Sequence, residues 1–223
     1  MHWKRLVRAS EIFREEVTID QRYFGYVSSR DETAWDSDEG PNDGEIKKLF
    51  TFLNQWRTRC RSDADARASF KKAYLEVLPL LRALRGRTLL EGGFDGVLVQ
   101  GTSASEAVGS IFETIASSGS RYESTGTSKI LHVLYPPLFV MWDSAIRGGY
   151  AVNGRSGDYA ERFLPRIQRE GREAVDSYIA ERKADPSTAV RELEGLCGGR
   201  ALTKLIDEYN YCRFTLRVDE LWR

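Results

Sequence analysis

"TGTSKILHVLYPPLFVMWDSAIRGGY", residues 125–150, is the stretch that decides the fold. Apolar residues at helical spacing follow a run of small ones, so the pattern predicts a helix over 127–135. Pro136-Pro137 ends it, because neither residue donates an N–H and Tyr135 is pushed toward an extended backbone. Leu138 to Trp142 then crosses the interior and delivers a single carboxylate, Asp143. That acid reads as the N-cap of a next helix that begins over Asp143–Tyr150.

Outward from this stretch the helical period persists. Residues 8–16 form a short helix with Ser10 as a candidate N-cap, whereas the aromatic "QRYFGYVSS" (21–29) suits an extended segment or a turn. Glu45 to Arg61 repeats Ile46, Leu49, Phe50, Phe52, Leu53 and Trp56 at helical spacing. A helix from Asp63 to about Leu84 follows, with Pro79 as a kink or break. "EGGFDGVLVQG" (91–101) is a Gly-rich connection with one possible short strand. Ser103 and Glu106 form a capping-box pattern opening a helix to about Ser117. Two helices separated near Arg169–Gly171 are expected beyond Ser156, then helices over 187–197 and 200–213. The expected fold is mainly α with a possible minor sheet. Residues 1–102 make an N-terminal helical region and residues 103–223 a core with C-terminal helices.

At 41% hydrophobic, the 223-residue chain can bury a sizeable core. Its 33 basic and 33 acidic residues cancel, so attraction to an anionic partner has to come from local segregation of charge. Residues 31–45 carry seven acids and no base, and read as an acidic loop. Residues 46–87 carry eleven bases against three acids, a net of +8, which suits either solvated helix faces or a phosphate-facing surface. Cys60, Cys197 and Cys212 are odd in number and contain no CxxC pair, which argues against a zinc site or iron–sulfur cluster and fits a reducing cytoplasm. The N-terminus lacks the apolar core of a signal peptide, and no apolar run approaches a membrane span. No metal, cofactor or membrane is expected.

The connector "SSGSRYESTGTS" (117–128) places Gly119 and Gly126 as bend points between two helices. With the second helix starting at Thr127–Ser128, its first N–H groups would face outward near Gly126 and offer an anion site. Lys129 in that first turn opposes the helix dipole, a placement a phosphate would offset.

"TGTSK" followed by "MWDSAIR" resembles the helix–hairpin–helix DNA glycosylase superfamily over residues 103–150. Those proteins carry a Gly-containing hairpin, a helix, an apolar crossing and a catalytic Asp capping the next helix. Their V-D-T-H-V-x-R run is matched here by Trp142-Asp143-Ser144-Ala145-Ile146-Arg147, with the arginine one place early. The L-P-G-V-G-x-K hairpin is reduced to "ESTGTSK": Ser128 falls where bifunctional members carry a nucleophilic lysine, and Lys129 stands one residue on. The resemblance implies a two-lobed helical enzyme acting on double-stranded DNA by base flipping and base excision. A monofunctional reaction is favoured, with Lys129 either a nucleophile or a phosphate contact. Asp143 would stabilise positive charge on the sugar and orient a water.

Gly126, Thr127, Ser128, Lys129 and Arg147 are the implied phosphate contacts. Trp142, Tyr150, Tyr209, Asn210 and Tyr211 are the implied base-pocket residues, Tyr209 and Tyr211 being equally readable as helix core and cap. The substrate implied is a damaged or modified base. The family's range includes hypermodified phage cytosines such as glucosylated hydroxymethylcytosine, removed in antiviral defence. A non-catalytic DNA-binding module and a protein-interaction domain are the alternatives. His132 reads as a packed ring rather than a base, and the acidic loop misses the spacing of a calcium site.

Overall fold

A computed structural model describes residues 1–17, 20–91, 98–119 and 123–219. It is mainly helical. The helices are α1 (Trp3–Glu16), α2 (Asp20–Ser29), α3 (Glu32–Asp36), α4 (Asp43–Gln55), α5 (Ala64–Ala83), α6 (Ala104–Ala116), α7 (Glu123–Leu134), α8 (Ser144–Tyr150), α9 (Leu164–Arg182), α10 (Ala189–Leu196) and α11 (Leu202–Asn210). π-Helical segments, Asp158–Phe163 and Tyr211–Leu216, precede α9 and follow α11. The expected minor sheet is a two-residue antiparallel ladder, β1 (Leu98–Val99) with β2 (Thr102–Ser103), pairing Leu98 with Ser103. Most of the Gly-rich connection, 92–97, lies outside the described residues.

The helices divide into two packing groups around one core. α2, α4 and α5 pack in succession onto α6 and α7, while α1 packs on α11 and α9. The N-terminal helix thus belongs spatially with the C-terminal ones. Side chains such as Phe50, Phe70, Phe112 and Trp142 are fully buried, each contributing about 1.5–3 kcal/mol of transfer free energy.

Several expectations are corrected. Residues 21–29 are helical because Tyr23 and Tyr26, one turn apart, bury their rings on one face; aromatic strand preference yields to that packing. α1 starts at Trp3, capped by the His2 ring accepting from the Lys4 amide, and Ser10 is buried within it. α5 runs through Pro79 without ending, and no break occurs near Gly171. Gly171 sits inside α9, where a Cβ would come within 3.2 Å of Ile206 and Leu90. The Ser103–Glu106 capping box is present.

The acidic stretch contains α3 and covers part of the basic segment. Asp36 pairs with Arg82 and Arg85, Asp38 with Arg82 and Asp43 with Arg67; Lys48 pairs with Glu45 and Arg61 with Asp63. Five of the eleven bases in this block, Lys48, Arg61, Arg67, Arg82 and Arg85, are thus paired with acids of the chain.

Candidate functional site

A buried, irregular chain segment has to satisfy every backbone polar group it carries. Along the crossing from Pro136 to Trp142, five groups, two of them on α7, meet that demand. The Leu89 amide donates to the Pro137 carbonyl (2.8 Å) and Thr203 Oγ1 to that of Pro136. His132 Nδ1 donates to Phe139 O at 2.7 Å, and the Tyr159 hydroxyl to Val140 O at 2.8 Å. The Trp142 amide donates to Ser128 Oγ at 3.2 Å. This lattice explains why so much apolar surface leads to one acid: it fixes where Asp143 emerges.

Asp143 adopts extended dihedrals and caps α8, its Oδ1 accepting from the Ile146 amide at 2.8 Å. Oδ2 accepts from Thr215 Oγ1 at 3.0 Å. Both carboxylate oxygens are thus oriented, one by the helix it opens and one by the π-helical segment after α11.

Asp143 faces a cleft of about 370 Å³, within the roughly 300–1,000 Å³ range of small-molecule pockets. Lys129 joins it from α7, Asp207 from α11, Tyr211 and Leu216 from the segment beyond, and Phe13 from α1. Trp56 stands at the end of α4, and exposed Arg22, Arg57 and Glu16 also line the cleft. Lys129 Nζ donates to the Trp56 carbonyl at 3.0 Å and lies 5.6 Å from its ring centroid. Burial holds the Lys129 amine below the ordinary lysine range, against the opposing pull of Asp207 and Asp143. The Tyr211 ring meets Phe13 edge-on at 5.4 Å between centroids, and burial raises its hydroxyl above the usual phenol range.

The cleft therefore brings together Asp143, Lys129, Trp142 and Tyr211 of the residues expected from sequence, and leaves the others elsewhere. Trp142 is itself core: its ring packs among Phe112, Tyr159 and Phe163, and its indole N–H donates to Ser124 O. Tyr150 is buried, its hydroxyl 2.7 Å from Glu170 Oε2 and 2.9 Å from Asn210 Oδ1, one proton serving two acceptors, and neither Tyr150 nor Asn210 lines the cleft. Tyr209 is buried on α11 and lines no part of the cleft.

The hairpin reading is corrected too. α7 begins at Glu123, one turn earlier than expected, so Gly126, Thr127 and Ser128 lie within it and are buried. Thr127 Oγ1 donates back to Glu123 O at 2.7 Å. Ser128 Oγ lies 2.9 Å from Thr125 O and 3.3 Å from Trp142 O, one proton serving two acceptors. Their smallness lets the crossing pack against α7; they offer no N–H groups to a phosphate. Arg147 is likewise engaged, donating to Ser124 Oγ at 2.8 Å and lying over the Trp142 ring.

Asp207 is the group the sequence reading missed. It stands four residues before Tyr211, so the two share a helix face, a spacing readable in "DEYNY". Behind it lies a buried charge cluster. Lys204 Nζ is 3.2 Å from Asp207, 3.3 Å from Glu208 and 3.7 Å from Asp20, while Arg200 binds Asp20 and Glu208 at 2.5 and 3.0 Å.

Among the described residues no group of His, Cys, Asp and Glu is placed to hold a metal ion, and no helix is long and apolar enough to cross a membrane. No family model, curated protein or solved structure matches the chain.

Proposed function

We propose that this chain is a DNA N-glycosylase of the helix–hairpin–helix type that takes one damaged or modified base out of the duplex and breaks its bond to the sugar. The observation that carries this reading is the meeting of Asp143 and Lys129, from separate elements, in one partly aromatic cleft. A base entering there finds the Trp56 and Tyr211 rings. As the glycosidic bond lengthens, positive charge grows on the sugar, and the Asp143 carboxylate stabilises it. The Ile146 amide and Thr215 hydroxyl keep that carboxylate from turning away. Exposed Arg22 and Arg57 supply backbone contacts at the rim.

Water is the nucleophile in the monofunctional form of this reaction. A second form has Lys129, which lines the same cleft as Asp143, attacking the sugar; burial lowers its pKa, the direction a nucleophilic amine needs. Incubation with duplexes carrying single modified bases, glucosylated 5-hydroxymethylcytosine among them, followed by hot alkali, tests the reading. Strand scission by the native chain supports it, and borohydride trapping of a Lys129-dependent adduct selects the lysine route. Salt-sensitive binding without scission instead marks a non-catalytic DNA-binding module, and absence of both a protein-interaction domain.

A further inference from the structure

Asp207 and Asp143 line the same cleft in unlike surroundings. Asp143 accepts two hydrogen bonds, one from a backbone amide and one from a hydroxyl. Asp207 accepts one, from Lys204 Nζ to Oδ2, and Oδ1 makes none among the described residues; its side chain keeps 10% of its surface open. Charged and titratable groups surround it: Lys204 and Glu208 on α11, Asp20 and Tyr23 on α2, Lys129 on α7, Asp143 at the crossing, Tyr159 before α9, and Tyr211 and Cys212 beyond α11, with Glu16 on α1, Arg22 on α2 and Arg57 after α4 lining the same cleft. Arg200 joins the same cluster through Asp20 and Glu208. Burial, reinforced by Glu208 and Asp143, outweighs Lys204 and holds the Asp207 carboxyl at about 6, well above the ordinary aspartate range.

We propose that Asp207 is the acid that protonates the departing base, and hence that the cleft serves uncharged nucleobases; this rests on the glycosylase reading above. The C1′–N bond breaks and its electron pair stays with the base. The proton on Asp207 passes to a ring nitrogen or carbonyl oxygen of that base, which leaves neutral. Asp207 becomes a carboxylate beside the Lys204 ammonium, 3.2 Å away, which stabilises the new charge. In the hydrolytic form, water oxygen bonds to C1′ and its proton passes to Asp143. Solvent then returns a proton to Asp207 and removes one from Asp143. Two carboxylates in different environments thereby divide the roles of acid and charge stabiliser. A base already bearing fixed positive charge, such as 7-methylguanine, leaves neutral without this proton.

The test is single-turnover excision by the native chain and Asp207→Asn, from about pH 5 to about pH 8.5. Separate duplexes carry uracil, hypoxanthine, 8-oxoguanine, glucosylated 5-hydroxymethylcytosine or 7-methylguanine. On an uncharged base the variant is expected to be about 10²–10⁴-fold slower. The native rate should fall roughly tenfold per pH unit above about 6. Any excision of 7-methylguanine should be within about threefold between the two proteins and lack the alkaline fall. A variant with native rate on an uncharged base, a native rate that ignores pH above 6, an equal loss on both base classes, or excision of 7-methylguanine alone overturns the proposal. Should Asp207→Asn fail to fold, as its melting curve would report, the native pH limb decides. No excision of any base defeats the glycosylase reading itself, whereas excision indifferent to Asp207 defeats only this inference.

Discussion

Lys204→Met removes a buried ammonium while keeping an unbranched side chain in its place. Lys204 Nζ lies within 3.7 Å of carboxylates from Asp20, Asp207 and Glu208, and 4.2 Å from the Phe13 ring centroid. Its loss leaves Asp20 and Glu208 to Arg200 alone and strips Asp207 of its Lys204 partner. Removing one partner of such a buried network costs about 3–5 kcal/mol, because the abandoned charges keep their desolvation penalty. For a domain of this size each kcal/mol shifts Tm by about 2–4 °C, so a fall of about 6–20 °C is expected near pH 8. The deficit should shrink at lower pH. Unpaired buried carboxylates hold protons more tightly in the folded state than in the unfolded chain, so the variant gains relative stability as pH falls. Melting curves followed by circular dichroism at about pH 8 and about pH 5.5 measure both effects. A Tm within about 2 °C of native at both values, or a larger deficit on the acid side, would refute the reasoning.

His132 gives a second pH signature. Its Nδ1–H donates to Phe139 O, so Nε2 accepts from the Tyr23 hydroxyl at 2.9 Å, and burial holds the ring's pKa near about 3 against 6.5 normally. This depressed value stabilises the fold above the unfolded pKa. Below about 6.5 the unfolded chain takes a proton that the folded one refuses, losing about 1.4 kcal/mol per pH unit from this group. Urea unfolding of native and His132→Gln between about pH 7 and about pH 4.5 should show the native chain steeper by one proton; equal slopes would contradict it. Gly149→Ala would place a Cβ 2.2 Å from the Phe214 ring and displace the segment that presents Thr215 to Asp143. A cost of about 1–3 kcal/mol and slower excision are expected. Gly148→Ala, with nothing within 4 Å, should be as stable and active as native; a matched loss in both variants would discount the contact.

Elements with strong local chemistry were legible in the sequence. The Ser103–Glu106 box, the Pro136-Pro137 stop and the Asp143 cap each depend on residues within one turn, so spacing alone places them. The start of α7 was not legible, because Ser124 to Ser128 have turn composition and become helical through contacts with the crossing. α2 was hidden similarly, its aromatic residues committed to burial by α4 rather than by propensity. Of the site, Asp143 and Lys129 were readable as outstanding polar groups on an apolar background. Asp207 was not: α11 is buried on every side, so its charged residues lacked the exposed face that normally explains them. Only the fold reveals that Asp207 faces a cleft while Glu208 faces Lys204 and Arg200.

Asp143→Asn tests the central claim most directly, since asparagine still accepts the Ile146 amide and preserves the cap. With a modified-base duplex and alkali cleavage, the native chain should release base and leave abasic sites. Asp143→Asn should melt with the native chain yet excise at least about 100-fold more slowly. Equal excision by the two proteins, or intact DNA from both, would contradict the account.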